Sequence, residues 1–379
     1  MKNNEFKVAP LQMTGGGDGQ TVISEETSKR ITSLRFLLIV FVVFIHANLK
    51  VDDAVNYYHY DFIQPKWIEV FKNFVCSTIG GAAVPLFFFF ASYLQFSKND
   101  SYPVLLKKKT KSLFVPYVIW TVITAFLYFT AQSIPQSAPF FQNPINIVKN
   151  WKFIDWIKIF VCHNLEQPLK NPLVYQFWFL RDLMFFIILS PILKVLCKKL
   201  PGLILFFVTI CMLKGIPVFI TVSSSALFYY LAGFYCAEYK VNFFKIADKV
   251  KLYEYLILIV LSEIFSLAFE GKYSFGPIAT FISCMLFLKV SFYFVKNERV
   301  YSVLKYLAGF SFWLYAIHAP FISSVINKIS QKVIPLHGIL CLIQFLLAAF
   351  LTVTIGTALG ILLKKICPKL FALLTGGRL

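Results

Sequence analysis

An arginine and a histidine share the first long apolar run of the chain, Arg35 and His46 in RITSLRFLLIVFVVFIHANLK, residues 30–50. A plain membrane anchor needs neither. At about 100° per residue, a separation of eleven is three turns plus about 20°, so a helix presents both side chains on one face. The rise between them is about 16 Å, half of a hydrocarbon core of about 30 Å. With Arg35 at the cytoplasmic border, His46 is expected near the midplane, where ionisable groups are costly and face a cavity or a partner. Imidazole works as a base or a nucleophile near neutral pH. Arg35 reads either as a topology anchor or as a ligand for an anion.

A second histidine, His318, lies in FSFWLYAIHAP. Ser311, Tyr315 and His318 follow i, i+4, i+7 and form one polar stripe on an apolar helix. Pro320 is expected to loosen the backbone there. The stripe reads equally as a catalytic surface and as hydrogen bonding between helices. In KKKTKSLFVPYVIW, residues 107–120, Lys107, Lys108, Lys109 and Lys111 precede an apolar run. They are either a positive-inside anchor or a site for a phosphate-bearing donor from the cytoplasm. YQFWFLRDL places Trp178, Arg181 and Asp182 together. Trp178 is an interface residue or a stacking surface for a sugar; neighbours on a helix do not face each other, so an Arg181–Asp182 pair is not assured. Glu238 and Glu263 are further carboxylates within apolar runs, and Glu263 needs a partner. His59, His163 and His337 fall in expected outer loops and are read as touching only water.

The elements that must hold these groups follow from composition. The 379 residues are 58% hydrophobic and 15% charged, with mean hydropathy +0.70. A soluble domain has about 45–50% apolar and about 25% charged residues. The fold class is therefore an all-α polytopic integral membrane protein. Ten spans are expected at about 33–49, 74–96, 112–133, 174–196, 202–219, 222–239, 252–270, 275–295, 303–327 and 338–363. The segment 134–172 is expected to hold a short interfacial helix around WKFIDWIKIF. With the N-terminus cytoplasmic, the inner segments carry 24 Lys and Arg and the outer ones 11. Ten spans with both termini cytoplasmic then satisfy the positive-inside rule. The net charge of +19 is spread over these short loops rather than gathered in one basic module, which argues against nucleic acid as a partner. The eight cysteines show no C-x-x-C spacing and read as apolar fillers, so neither a metal site nor a disulfide framework is expected. Residues 1–29 read as a disordered cytoplasmic tail, with no cleavable leader evident, and 364–379 as a short basic cytoplasmic tail.

Taken together, the quoted stretches resemble the membrane acyltransferase 3 family. The first apolar run resembles its Arg-x10-His signature, and GGAAVPLFFFFASYL is similar to its second span. KKKTKSLFVPYVIW resembles its basic run before Pro-Tyr; FWFLRDLMFFIILSPIL and SFWLYAIHAPFI are similar to two later helices. The likeness runs from about residue 30 to 363. It implies a ten-span enzyme of the bacterial cytoplasmic membrane that O-acylates glycans, most often with acetyl groups. Acyl-CoA, acetyl-CoA above all, would be the donor substrate, and no cofactor would be permanently bound. The other implied partners are a cell-surface polysaccharide or lipid-linked glycan and the membrane lipid. Arg35 and His46 would be catalytic, and Lys107, Lys108, Lys109 and Lys111 donor-binding. Trp178, Arg181, Tyr315, His318 and Glu263 would bind the acceptor or support the site. Two departures stand out. Lysines replace the usual Arg in the basic run, which removes the planar fork suited to phosphate. Ala91 stands where the family often has Ser followed by Gly. No esterase-like domain is expected after residue 363, so transfer is expected to use the membrane part or a separate protein. The competing class is a transporter or flippase of a glycan or small solute, which also uses buried ionisable groups such as Glu263 and His46.

Overall fold

A computed structural model describes residues 23–48, 63–98, 100–135, 146–163, 171–217, 223–269 and 275–378. His59 and residues 1–22 lie outside the described residues. Within them the chain is helical, and the extended pairing is a single bridge between Ile63 and His337. The helices are α1 (Glu25–Ala47), α2 (Lys66–Phe96), α3 (Tyr102–Ser133), α4 (Phe153–Lys158), α5 (Trp178–Lys199), α6 (Pro201–Leu213), α7 (Ser224–Glu238), α8 (Phe243–Asp248), α9 (Leu252–Ala268), α10 (Gly276–Lys296), α11 (Glu298–Ala308), α12 (Ser311–Val333), α13 (Leu340–Ile366) and α14 (Pro368–Thr375).

Five of these, α1, α2, α3, α10 and α13, are long and apolar enough to cross a membrane; the bent pairs α5–α6 and α11–α12 raise the number to seven. Each of the ten expected stretches has a helix over it. The difference in number has a plain cause: α6, α7 and α9 have 13, 15 and 17 residues, short of the ~20 residues that span a core untilted. Large apolar side chains point away from the bundle, among them Phe126, Phe206 and Phe350, each more than 60% exposed. In water such a surface would aggregate; against lipid it is the favoured arrangement. A short helix, α4, stands where the interfacial one is expected; it has six residues, with Phe153 82% exposed and Asp155 capping Lys152 N–H at 2.9 Å.

Where α1 begins, Ser24 accepts from Thr27 N–H at 3.2 Å and Glu25 and Glu26 fill the first turn, as a helix N-terminus favours. The helix thus starts inside the stretch expected to be a disordered tail. Arg30, one turn later, is buried and fully paired. It makes a bidentate contact to Asp248 (2.6 and 2.9 Å) and donates to Leu288 O and Ser291 Oγ. This pins α1 to α8 and α10. Elsewhere close backbone approach does the positioning. A Cβ on Gly233 of α7 would lie 2.3 Å from Phe89 O of α2, and one on Gly360 of α13 would lie 2.5 Å from the Trp313 ring of α12. Small residues at such crossings let membrane helices approach. Three wide π turns interrupt the helices, at Phe74–Ile79, Thr110–Phe114 and His318–Ile322.

Candidate active site

His46 occupies the last turn of α1, one residue before its end. Counting from Arg35 alone places it at mid-depth; in the fold, its enclosure comes from two other segments that close over that helix end. One is the Tyr175–Phe177 turn leading into α5, the other the π turn of α12. The His46 ring lies 5.0 Å from the Tyr175 ring and 5.2 Å from the His318 ring, centroid to centroid. Two imidazoles remote in sequence therefore share one site. His46 is half-buried and His318 fully buried.

The orientation of His318 follows from the break in its helix. Ala319 leaves helical geometry (φ −135°, ψ 145°) just before Pro320, a residue that lacks the N–H a helix needs. His318 Nδ1 sits 2.8 Å from Tyr315 O and 3.1 Å from Leu314 O. Carbonyls only accept, so Nδ1 carries the hydrogen and Nε2 keeps its lone pair in the neutral ring. Nε2 is buried with no hydrogen-bond partner among the described residues. Gln176 braces the same break. Its Nε2 donates to Ala319 O and lies 3.5 Å from Ala316 O, while its own backbone carbonyl accepts from Tyr315 Oη at 2.6 Å. Gln176 Oε1 is likewise buried and unpartnered among the described residues. Behind these groups Phe177 stacks on Tyr315 at 5.6 Å and Tyr117 on Phe177 at 5.4 Å. The result is an apolar wall with a few convergent polar atoms, the usual make-up of a small-molecule site.

Arg181 and Asp182 do pair, although adjacent on α5. The arginine side chain folds back, so that Nε and Nη2 reach Asp182 Oδ1 at 2.9 and 2.8 Å, and Nη1 donates to Val161 O at 2.7 Å. Trp178 packs on Phe88 at 6.2 Å as part of the core. Glu263 finds its partner in Thr78, whose hydroxyl donates to Oε2 at 2.9 Å. Glu238 pairs with Lys198 at 2.6 Å. His163 departs from the expectation of a water-exposed residue. It is buried, 3.2 Å from Asn146 Oδ1 and with its ring edge-on to Trp151 at 5.1 Å, because the segment before α4 folds back onto it. His337 is exposed, as expected.

About three turns from His46 along α1, Arg35 is exposed. The four lysines of the basic run do not act alike. Lys107 and Lys111 are exposed, Lys108 holds Asp100 at 2.7 Å, and Lys109 is half-buried. Lys109 feels the charge of Arg378, a cation that no sequence pattern singles out. Nor does a sequence pattern single out Tyr175 or Arg30. Gln176 had one legible signal, a lone amide at the head of an apolar run.

A family model described as "Acyltransferase domain" matches residues 29–363. The chain is 24% identical over 371 residues to the succinoglycan biosynthesis protein ExoH of Rhizobium meliloti (strain 1021), covering 93% of this chain and 92% of that protein. No solved structure matches. With helices fit for a membrane and a match over nearly its whole length, the chain belongs to the acyltransferase 3 family of multi-pass membrane acyltransferases.

Proposed function

We propose that this protein is an O-acyltransferase, acetyl groups being its main cargo, that moves an acyl group from cytoplasmic acyl-CoA to a hydroxyl of a cell-surface polysaccharide or lipid-linked glycan. The glycan acceptor is suggested by the relative named for succinoglycan biosynthesis. The setting is the cytoplasmic membrane of a bacterium, with ten spans and both termini cytoplasmic. The observation that carries the reading is the imidazole pair, with the His318 tautomer set by two carbonyls.

The chemistry needs one base. His46, the more accessible ring, takes the proton of the glycan hydroxyl as that oxygen attacks the thioester carbonyl. His318 Nε2, whose lone pair is unpartnered among the described residues of the resting fold, takes up the other N–H of His46 as the imidazolium forms, and so holds the ring and steadies its charge. The C–S bond then breaks, and the proton passes from His46 to the departing thiolate. Ester and free CoA are the products, and His46 returns to its starting form. Aromatic walls around Tyr315 keep water from competing as acceptor. The thin pantetheine arm reaches the pair from the Arg35 end of α1, and the acceptor comes from the other end.

Purified protein incubated with acetyl-CoA and a glycan acceptor should release free CoA and yield a product heavier by one acetyl group, read by a thiol assay and mass spectrometry. Solute movement in proteoliposomes without any CoA release would overturn this reading in favour of a transporter.

A further inference from the structure

The chain after α13 does not trail away. Helix α14 docks through Phe371 and Leu374, both buried. The Phe371 ring lies 5.6 Å from Phe310 and 5.9 Å from Trp313. Trp120 Nε1 of α3 donates to Leu374 O at 3.0 Å. Gly376 (φ +70°) and Gly377 (φ +81°) then reverse the backbone. A Cβ on Gly376 would lie 2.4 Å from Ser112 O, so backbone meets backbone here and only glycine fits both the turn and the gap. The reversal presents Arg378 to α3 and α12. Its Nη1 donates to Thr375 O at 2.5 Å and Ser112 O at 3.2 Å, and its Cζ lies 4.4 Å above the Phe312 ring.

Ser112, which receives the hook, follows Lys109 by three residues on α3, so the hook sets Arg378 beside the basic run. The charge of Arg35 acts on Arg378, and those of Arg378 and Lys98 act on Lys109. Among the described residues, no carboxylate forms an ion pair with Arg35, Arg378 or Lys109. Asp100, whose charge reaches Lys109, is held by Lys108. Burial, with the charge of Arg35 added, pushes the Arg378 guanidinium down to about 10. A built turn that brings like charges together works against folding unless an anion completes it. Among the described residues the hydrogen bonds of Arg378 use Nη1, so Nε and Nη2 remain as donors in a planar fork, the shape suited to phosphate oxygens. The basic run, made of lysines, lacks that fork.

We propose that Arg378, carried on the glycine hook after α14, forms with Arg35 and Lys109 the seat for the phosphate groups of the acyl-CoA donor. This rests on acyl-CoA being the donor. The same chemistry would suit the phosphate of an anionic lipid, and the test separates the two.

The full-length protein is titrated with CoA and with adenosine 3′,5′-bisphosphate, in detergent alone and in nanodiscs rich in phosphatidylglycerol. Arg378→Gln, Arg378→Lys and Lys369→Gln are compared at low and high salt. Lys369 is an exposed cation on the same helix. Arg378→Gln should weaken both ligands by about tenfold or more at low salt, and the deficit should shrink at high salt. Arg378→Lys should fall between, and Lys369→Gln should match the parent. In turnover, Arg378→Gln should raise KM for acyl-CoA and leave kcat near the parent's. Equal CoA affinity of parent and Arg378→Gln would overturn the seat while leaving acyl-CoA as donor. A deficit unchanged by salt and matched by a lowered melting temperature would make Arg378 a staple only, and would also overturn it. A parent that binds no CoA yet binds phosphatidylglycerol through Arg378 would overturn the seat and the donor together.

Discussion

At the scale of residues, the site turns on which imidazole meets the substrate and which one holds its neighbour. His46→Gln keeps a hydrogen-bonding group but no base near neutral pH. It should express and melt like the parent while transfer falls by about a hundredfold or more. His318→Phe keeps a ring but loses both nitrogens. If His318 acts through His46, its loss should cost up to about a hundredfold in kcat, the scale of a misplaced catalytic group, with KM for acyl-CoA unmoved. The two losses should not multiply: the double variant should be no slower than His46→Gln alone, because a base already absent has nothing left to hold. Steady-state rates that multiply would separate the two rings and end the pair as a unit. Each histidine was legible by itself, as an ionisable group in an apolar run. Their closeness of 5.2 Å was not, because it depends on α1 meeting α12 and no local pattern encodes that contact. The tautomer of His318 was hidden for a related reason: it comes from carbonyls that a helix normally uses internally.

At the scale of elements, the fold depends on a few places where a side chain is absent. A Cβ at Gly233 would press on the Phe89 carbonyl at 2.3 Å, and backbone cannot step aside as a side-chain tip can. Gly233→Ala should therefore cost about 1–3 kcal/mol, the range for overpacking a close contact, and lower the melting temperature in detergent. Gly202→Ala is the matched control, since nothing lies within 4 Å of its Cβ. It should be neutral or slightly stabilising, because alanine favours helix. An equal drop for both would mean that the α2–α7 approach is not tight. The periodic apolar runs made helix positions readable, and Pro320 made the break in α12 readable. Helix ends were less so. Helix α1 reaches back to Glu25 because Ser24 caps it and Arg30 is buried against Asp248, a contact made far away in sequence. Helix α14 was missed because a short basic stretch after the last long apolar run looks like a tail, and its burial of Phe371 depends on Phe310 and Trp313.

At the scale of the whole molecule, the distribution of charge decides orientation. Expected inner segments hold 24 Lys and Arg against 11 outside, and the cations of the proposed phosphate seat, Arg35, Lys109 and Arg378, all belong to the inner set. That coincidence is what a cytoplasmic donor requires: a polyanion such as CoA does not cross the lipid, so its seat must open where CoA is made. Catalysis and topology are therefore linked. If the terminus carrying Arg378 were outside, an even number of spans and a cytoplasmic phosphate seat could not both hold. Lys369, exposed on α14, offers the place to ask. Placed as Lys369→Cys in a background with the half-buried Cys162, Cys236 and Cys367 changed to serine, it should resist an impermeant thiol reagent in intact cells and react after permeabilisation. Lys149→Cys, in the expected outer segment beside α4, should react in intact cells. Labelling of Lys369→Cys from outside would remove the cytoplasmic terminus. It would take with it the ten-span count and the argument that these three cations meet a donor from within.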